Sequence, residues 1–539
     1  MAVDFAGFAG RLFANGVHAA RRAARTLDRA SRTQALWLVV PLGGALGEQG
    51  RTVFGSSSAA RDAALSHLDL LRILERVRHD DRIAGVLLRF QGTGPYRFAQ
   101  AASLRRAIDA AREAGVPVAA WAESLTAVQL WIASGADAVW LPEIGAVQLV
   151  GISSEHFYLK DLLDKLDVEP EVVHVGRYKS AGELLTRRSM SPEQREQMEA
   201  WQGELYDQLV DAVARGRGLE ADAVRDRVDR GPYSAAAALE AGLVDGFLYK
   251  DELEEKLRPL SRGDASREVS FLDPHRYLGS VVYDVGWRPL VRGLPHLAYV
   301  VATGNVHRGP GRRGIGSQSL GDLLERIREE ERIKAVVIRV DSPGGDAVAS
   351  DLLYRAIELT RKEKPVVVSM GEVAASGGYY LAAPADAIWI ESGSVTGSIG
   401  VVGGKINLEG LYRRIGLGRD SVETGERAGV FSDARGFTPD ERKAVRDEME
   451  ALYDVFLRRV AAGRSLERDA LERVAQGRIW SGRAALEVGL VDSLGGPLEA
   501  LEDARRRSGI ADGERYQVAV LPRRPRLPDL RAILTGTEM

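Results

Sequence analysis

Three blocks of sequence in the first half of the chain recur in the same order in the second half. The distance between the two copies is nearly constant, at 250, 249 and 247 residues. An ordered recurrence with one spacing indicates duplication of a whole structural unit, because chance matches would not keep a constant offset. The paired blocks are 82–90 with 332–340, 136–141 with 385–390, and 238–245 with 485–492. The sequence therefore predicts two copies of one fold in tandem.

Each half alternates short apolar runs with longer amphipathic stretches. Continuous apolar runs separated by helical patterns are typical of parallel strands joined by crossover helices. We therefore predict an α/β fold with a helical appendage in each half. In the second half the predicted strands are 297–302, 335–340, 365–369 and 387–390, the predicted helices are 319–331, 347–363 and 376–383, and 438–510 is mostly helical. The predicted domain limits are 1–34 for an N-terminal helical segment, 35–257 and 296–539 for the two domains, and 258–295 for a linker.

The charge balance and the absence of cysteine exclude several classes of protein. Within the 539 residues, 73 basic and 76 acidic side chains leave a net charge of −3, so we expect no nucleic-acid partner. A chain without cysteine has no disulfide scaffold, no thiolate metal site and no cysteine nucleophile. The sequence also lacks a phosphate-binding loop, a nucleotide fingerprint and paired metal ligands. We therefore expect no metal and no cofactor.

The start of the chain bears on the question of membrane attachment. The longest apolar run there, 35–42, is much shorter than the ~20 residues that span a bilayer. Asp4 and the interrupted apolar pattern argue against a cleavable signal. The apolar side chains of the first turns are spaced for one helix face, and arginines follow them. These apolar residues are Phe5, Phe8, Leu12, Phe13 and Val17. Such a helix either lies on a membrane surface or packs on the body or another subunit, so we expect a membrane-associated or cytoplasmic protein.

Two predicted strand ends in the second half carry residues suited to catalysis. In open α/β folds, ligands bind outside the carboxyl ends of the strands. After the strand 335–340, Gly344 and Gly345 allow a tight turn and a close backbone approach. After the next strand, Ser376 and Gly377 begin a helix, where free backbone N–H groups can receive an oxyanion. Taken alone, Ser376 is better explained as a helix cap than as a nucleophile.

Comparison of the two halves favours a catalytic site that both halves share. At an offset of 249 residues, Ser376 corresponds to Ala127, so the first half keeps the pattern without the hydroxyl. The same offset pairs Lys179 with Ala428, so the lysine occurs only in the first half. Each half lacks what the other supplies, which is expected of one composite site. Glu372, in contrast, has a glutamate at the equivalent position of the first half and is predicted to serve the fold.

Lys179 is the predicted base for Ser376. A serine hydroxyl is a poor nucleophile until a base removes its proton, and none of the eight histidines lies in a comparable motif. A lysine serves as the base when burial lowers its pKa toward neutrality, and Ser–Lys pairs are a known variant of the catalytic triad. Ser398 is the candidate for orienting Lys179. Its first-half counterpart is Leu149, so this hydroxyl is also confined to the half with the nucleophile.

Four motifs around these residues resemble the signal peptide peptidase A family, in its long bacterial form with two tandem domains. The motifs are 341–345, 375–379, 396–400 and 178–181, and the resemblance extends over roughly 35–510. It implies a crotonase-like (Clp-protease-like) fold in each half and a Ser–Lys dyad completed across the two halves. In that arrangement Ser376 is the nucleophile, Lys179 is the general base, and Ser398 positions the lysine.

The resemblance has further implications for the site and its partners. The N–H groups of Gly344, Gly345 and Gly377 would form the oxyanion hole. The substrates would be hydrophobic peptides such as cleaved signal peptides, hydrolysed by a homotetramer at a membrane. The chain departs from the family in one respect, since the long bacterial members usually carry an N-terminal transmembrane anchor and no such segment is visible here.

Two other classes of protein remain open on the sequence. The crotonase-like fold also hosts acyl-CoA enzymes, and fold does not determine function. Those enzymes use acid and base carboxylates, and they would not need the complementary Ser376 and Lys179. The other class is a catalytically inactive scaffold on a membrane, against which the intact Ser376, Lys179 and Ser398 argue. A serine peptidase is therefore the predicted function.

Overall fold

A computed structural model describes residues 34–49, 65–92, 97–278, 294–311 and 313–522, and in the N-terminal segment Leu12 alone. The helix predicted within 1–34 otherwise lies outside the described residues. Within the described part of the chain, no helix combines the length and apolar composition that crossing a membrane requires.

The strands and helices are numbered here in chain order. The strands of the first half are β1 (Gln34–Leu42), β2 (Ile83–Phe90), β3 (Val118–Trp121), β4 (Leu125–Thr126), β5 (Ala138–Leu141), β6 (Ala146–Gln148), β7 (Glu169–Val175), β8 (Tyr233–Ser234), β9 (Gly246–Phe247) and β10 (Glu268–Leu272). The strands of the second half are β11 (His296–Thr303), β12 (Val306–His307), β13 (Ile315–Gly316), β14 (Ile333–Ser342), β15 (Val366–Ala375), β16 (Ala387–Ile390), β17 (Val395–Gly397), β18 (Val401–Asn407), β19 (Ile479–Ser481), β20 (Ser493–Leu494) and β21 (Gln517–Leu521).

The helices are also numbered in chain order. Those of the first half are α1 (His67–Val77), α2 (Phe98–Glu113), α3 (Ala127–Ala133), α4 (Lys160–Lys165), α5 (Glu183–Thr186), α6 (Pro192–Arg217), α7 (Ala221–Arg230), α8 (Ala235–Glu240) and α9 (Leu253–Leu257). Those of the second half are α10 (Ser317–Glu329), α11 (Ala347–Glu363), α12 (Gly377–Ala382), α13 (Glu409–Arg414), α14 (Pro439–Arg464), α15 (Arg468–Val474), α16 (Gly482–Glu487) and α17 (Pro497–Arg507). Short 3₁₀ turns occupy Ser180–Gly182, Lys250–Glu252 and Arg258–Leu260.

Two parallel sheets with the same strand order form the centres of the two halves. The first runs β10-β1-β2-β3-β5-β9, and the second runs β21-β11-β14-β15-β16-β20. In the second half, β17 pairs with the last residues of β15 and is in turn paired antiparallel by β19. Nearly every residue of β2 and β14 is buried, as expected for parallel strands covered by helices on both faces. The predicted tandem α/β fold with helical appendages is confirmed.

The strand register confirms the equivalence of the halves near the predicted site. Leu125 of β4 pairs with Val147 of β6, and Ala374 of β15 pairs with Thr396 of β17. Both pairs are related by the same 249 residues. Ala127 is therefore the structural counterpart of Ser376.

The segment predicted as a linker, 258–295, is partly structured and belongs to the first half. Glu268–Leu272 form β10, which pairs parallel with β1, and Tyr277 is buried in the first core. The prolines and glycine of this stretch suggested a connection. Its apolar residues instead complete the edge of the first sheet beside β1, so the linker prediction is wrong for these residues.

The two halves are held together by a strand pair and by buried charges. β7 of the first half pairs antiparallel with β18 of the second along its whole length. Arg339, fully buried on β14, donates hydrogen bonds of 3.0 and 3.1 Å to the carboxylate of Glu48, which follows β1. Burial alone would raise the pKa of Glu48, but the Arg339 charge and hydrogen bonds outweigh burial and lower it to about 2. The ion pair therefore ties the first half to the second sheet.

We predict that Glu48→Ala lowers the free energy of unfolding by about 3–5 kcal/mol, because it leaves the Arg339 guanidinium buried without its partner. Urea unfolding at neutral pH measures the change. Glu75→Ala, which removes the half-exposed partner of Arg78, is the control and should cost no more than about 1 kcal/mol. Because the pKa of Glu48 is lowered on folding, its contribution is present at neutral pH and is lost as the pH falls toward 2. Equal losses in the two variants would contradict the assignment.

Candidate active site

Ser376 lies at the sharp turn between β15 and α12. Its backbone has φ 54° and ψ −119°, and its side chain forms no capping hydrogen bond. The helix-cap explanation of this serine is therefore wrong. In the first half, Thr126 caps α3 in the ordinary way, with extended backbone and a hydrogen bond from the N–H of Gln129. A strained serine that gives up its capping bond indicates a functional constraint, because such a conformation costs free energy that an ordinary helix start avoids.

Lys179 comes to Ser376 from the other half of the chain. It follows β7, the strand that pairs with β18, and precedes the 3₁₀ turn Ser180–Gly182. Its Nζ lies 3.1 Å from Ser376 Oγ, 3.0 Å from Ser398 Oγ and 2.9 Å from the Ser398 carbonyl oxygen. The structure thus brings together the three side chains that the sequence singled out, across 197 and 219 residues of chain.

The side chain of Lys179 is shielded from water, and this determines its protonation state. Lys179 is only 7% exposed, and burial lowers its pKa to about 8. Removal from water disfavours the ammonium, and no carboxylate in the described part of the chain offsets this effect at Nζ. A neutral amine has two N–H donors and one lone pair. The carbonyl oxygen of Ser398 can only accept, so it takes one N–H; with the second N–H on Ser398 Oγ, the lone pair faces the hydroxyl of Ser376.

Ser398 is held in a fixed position beside the lysine. Its backbone is left-handed, with φ 51°, and its N–H donates to the carbonyl of Arg478 at 2.7 Å. This conformation turns both the side-chain and the main-chain oxygen of Ser398 toward Lys179. The sequence predicted the role of the hydroxyl; the contact from the carbonyl depends on the backbone conformation and was not predicted.

The glycine turn after β14 lies against the start of α12. A Cβ on Gly344 would come within 2.6 Å of the Gly377 nitrogen, so only glycine permits this approach. The N–H of Gly344 donates to the buried Ser342 Oγ at 3.1 Å and is not available to a substrate. No protein acceptor within the described ranges takes the N–H of Gly345 or of Gly377. The predicted set of three donors is therefore reduced to Gly345 and Gly377.

Glu372 lies close by in the chain but binds the first half. Its carboxylate accepts from the N–H groups of Phe98 and Ala99 at 2.9 and 3.0 Å, which satisfies the first turn of α2. Burial raises the pKa of Glu372 to about 7, and the nearby Asp341 carboxylate adds to the shift. Glu372 thus fastens the strand that carries Ser376 to a helix of the other half. This agrees with the predicted role in the fold.

The arrangement has what acyl transfer from a serine requires. It combines a hydroxyl, a dry amine with a lone pair directed at that hydroxyl, and two free N–H groups on neighbouring backbone turns. Across the residues that the structure describes, no cluster of three or more acidic or histidine side chains is placed to hold a metal ion.

The structure also reveals a residue next to Lys179 that the sequence patterns did not single out. Gln197 on α6 bonds to the residues on both sides of Lys179 and to the backbone of Ile479. A signal is present in the repeat, because the 247-residue offset pairs Gln197 with Ala444, a loss of the same kind as Lys179 to Ala428. That loss is hard to recognise, because a glutamine amide carries no acid–base chemistry that would mark it as part of a site.

The fold and the contact between Ser376 and Lys179 together favour a serine hydrolase. The sequence matches Peptidase family S49 at residues 110–262 and again at 358–511, once in each half and over more than half of the chain. The chain belongs to this family and is a serine peptidase.

Two curated relatives match most of the chain, and a third matches about a third of it. "Serine protease SPPA, chloroplastic" of Arabidopsis thaliana is 30% identical over 500 residues, covering 92% of this chain and 72% of the relative. "Protease 4" of Haemophilus influenzae is 32% identical over 457 residues, covering 82% and 73%. A protein of Enterococcus faecium, named provisionally as signal peptide peptidase SppA, is 31% identical over 202 residues, covering 37% and 59%. These matches lend no support to the acyl-CoA enzyme or the inactive scaffold.

We expect Ser376→Ala to lower peptidase turnover by more than about a hundredfold, because loss of a nucleophile leaves only the contribution of the surrounding groups. The fold should persist, since Ala127 occupies the equivalent position in the first half. Turnover of a fluorogenic peptide and circular dichroism measure the two effects. Ser189→Ala, at an exposed serine of the first half, serves as the control. A variant at Ser376 that keeps more than about a hundredth of the activity would exclude this serine as the nucleophile.

Proposed function

We propose that the protein is an endopeptidase that cleaves hydrophobic peptides, released signal peptides among them, with Ser376 as nucleophile and Lys179 as general base. The observation that carries the proposal is the 3.1 Å contact between Lys179 Nζ and Ser376 Oγ, made by a buried lysine. The family membership supplies the reaction class, and the geometry supports the role of each residue.

The proposed reaction follows from these contacts. The neutral amine of Lys179 takes the proton of Ser376 Oγ while this oxygen attacks the scissile carbonyl carbon. The oxyanion that forms accepts from the N–H groups of Gly345 and Gly377. The Lys179 ammonium then gives its proton to the leaving amine, which departs as the C–N bond breaks. Water, with Lys179 again as base, hydrolyses the acyl-enzyme and restores Ser376.

Ser398 keeps the lysine in place through this cycle. Its carbonyl and hydroxyl oxygens hold two of the three amine hydrogens when Lys179 is protonated and both when it is neutral. The amine therefore changes its proton count at the one position that faces Ser376. This is the positioning role that the resemblance implies.

Two observations support a hydrophobic peptide as the substrate. Val348 and Leu352 lie one turn apart on α11, just after the glycine turn, and are 44% and 55% exposed. Exposed apolar residues beside a catalytic turn are suited to contact apolar side chains of a substrate. The provisional name of the Enterococcus faecium relative is consistent with signal peptides.

The pH dependence of turnover tests the role of Lys179. With a pKa of about 8, the neutral amine is the minor form at pH 6 and the major form above pH 8, so turnover should rise with pH and level off above about 8. Lys179→Arg should be as inactive as Lys179→Ala, because a guanidinium keeps its proton in this range. The assay uses a leucine- and alanine-rich peptide, with an acidic version of it as the poor substrate. Substantial activity of Lys179→Arg would show that another group activates Ser376.

We further propose that copies of the chain associate head to tail into the homotetramer that the resemblance implies. The support comes from the contact between β7 and β18. The segments that are equivalent to these two strands in the repeat carry exposed apolar residues. β7 pairs with β18, and Val173 of β7 is buried opposite Gly403. At the 249-residue offset, β7 corresponds to 418–424 and β18 corresponds to 152–158. Neither segment forms a strand within the chain, and Val422, the counterpart of Val173, is fully exposed.

Among the described residues, these two segments do not pair with each other as their counterparts do. A second copy of the chain offers the missing partner, since its first half presents 152–158 to the second half of the next copy. Repetition of this heterologous contact closes into a ring or continues as a filament. Phe157, 78% exposed, would be covered as Ile406 is partly covered in β18.

We predict that the wild-type protein is an oligomer of the 58.6 kDa chain and that Val422→Asp dissociates it, because the carboxylate would be buried against the neighbouring copy. Light scattering after size exclusion measures the mass. Leu239→Asp changes another exposed apolar residue, on α8, and should leave the oligomer intact. A monomeric wild type, or an unchanged mass for Val422→Asp, would refute the head-to-tail contact.

A further inference from the structure

Gln197 connects the loop that carries Lys179 to the half that carries Ser376. Its side chain is almost fully buried on α6. Its Nε2 donates to the carbonyl oxygen of Tyr178 at 3.2 Å and to Ser180 Oγ at 3.3 Å, so it holds the residues on both sides of Lys179. Its Oε1 accepts the backbone N–H of Ile479 at 3.0 Å, at the start of β19. One amide thus uses both its donor and its acceptor ends to join the two halves beside the lysine.

The segment that leads into β19, where Gln197 binds Ile479, also contacts Ser398 and the lysine loop. The carbonyl of Arg478 accepts the N–H of Ser398 at 2.7 Å, and the carbonyl of Gln476 accepts the N–H of Tyr178 at 2.8 Å. A Cβ on Gly477 would lie 2.6 Å from Lys179 Cβ, so the lysine backbone rests directly on this segment. Residues 476–479 therefore set the distance between the lysine loop and Ser398, and Gln197 fixes the loop to that segment.

The equivalent positions in the other half of the repeat lack the residues that make this connection. α6 and α14 are equivalent helices of 26 residues at an offset of 247, which pairs Gln197 with Ala444. The same offset pairs Ile479 with Pro232, which has no backbone N–H. Both partners of the hydrogen bond are thus missing from the copies that have no dyad to serve. This is the pattern already seen for Ser376 with Ala127 and for the lysine with Ala428.

We propose that Gln197 is a positioning residue for Lys179, which holds the lysine loop against 476–479 and so keeps the amine dry and within reach of Ser376. The inference rests on the proposed role of Lys179 as the base. Gln197 touches no reacting atom in this arrangement and acts through the lysine loop.

Two ion pairs flank the loop that carries Lys179. Arg177 on the lysine loop bonds to Glu193 of α6, and Arg478 before β19 bonds to Glu196 of α6. The Arg478 guanidinium also stacks over the ring of Tyr178, 4.9 Å from its centroid. These pairs lie on the exposed side of the loop. If the loop were loosened on this side, water would reach Lys179. Hydration favours the ammonium and would raise the pKa of Lys179 toward its ordinary value.

The rate of labelling by a fluorophosphonate probe, measured from pH 6 to pH 10, tests the inference, because it reports the reactivity of Ser376 without a peptide. In Gln197→Ala, which introduces the residue found at 444, we expect the midpoint of the pH profile to move to higher pH. A shift of one unit lowers the rate at pH 7 about tenfold and leaves the rate at pH 10 nearly unchanged. Ile479→Pro, which introduces the residue found at 232, should shift the profile in the same direction.

Gln194→Ala provides the matched control. Gln194 is also buried on α6, one turn earlier, but its side chain accepts from the hydroxyl of Tyr158 and makes no hydrogen bond to the lysine loop within the described ranges. Its profile should coincide with that of the wild type. A uniform loss of labelling at every pH in Gln197→Ala and Ile479→Pro, or no loss in either, would overturn the positioning role. Labelling of Lys179→Ala at the wild-type rate would instead refute the proposed function itself.

Discussion

The site depends on keeping one lysine out of water while leaving its amine within reach of a serine. A lysine in water has a pKa near ~10.4 and holds its proton at neutral pH, so it cannot accept one from a hydroxyl. In this protein the lysine is buried where the two halves of the chain meet, and its Nζ bonds to no carboxylate of the residues that the structure describes. Burial lowers the pKa of Lys179 to about 8, and the two oxygens of Ser398 orient the amine. Every other feature of the site supports this placement.

Duplication of the fold made it possible to bury Lys179 between the two halves. Neither half could enclose the lysine alone, because it lies on a loop that leaves its own half along β7 and docks on β18 of the other. Once the chain held two equivalent halves, each half needed to keep only part of the machinery. Ser376 remains on one side and Lys179 on the other, and the counterparts are Ala127 and Ala428. The buried Glu48–Arg339 pair and the Glu372 contact to α2 then hold the halves in the arrangement in which Lys179 reaches Ser376.

Much of this could be predicted from the sequence because the repeat offers an internal comparison. The complementary losses between the halves are enough to single out Ser376, Lys179 and Ser398, and the strands and helices of the second half follow from their apolar periodicity. The predictions that were wrong concern features that depend on three-dimensional geometry. The N–H of Gly344 is committed to Ser342, and this is decided by a side chain two residues away whose orientation no pattern reveals. The strand at Glu268–Leu272 is an edge strand with a short apolar run, and its pairing with β1 depends on where the chain returns.

The protonation state of Lys179 is the most direct test of the account. NMR titration of the chain with isotopically labelled lysine side chains, with Lys179→Arg as the variant that assigns the resonance, measures it without substrate or probe. We predict a lysine signal that is absent from the variant and titrates with a midpoint near 8. A midpoint for Lys179 near the ~10.4 of a lysine in water would contradict it, because the amine would then carry its proton at the pH at which it must accept one.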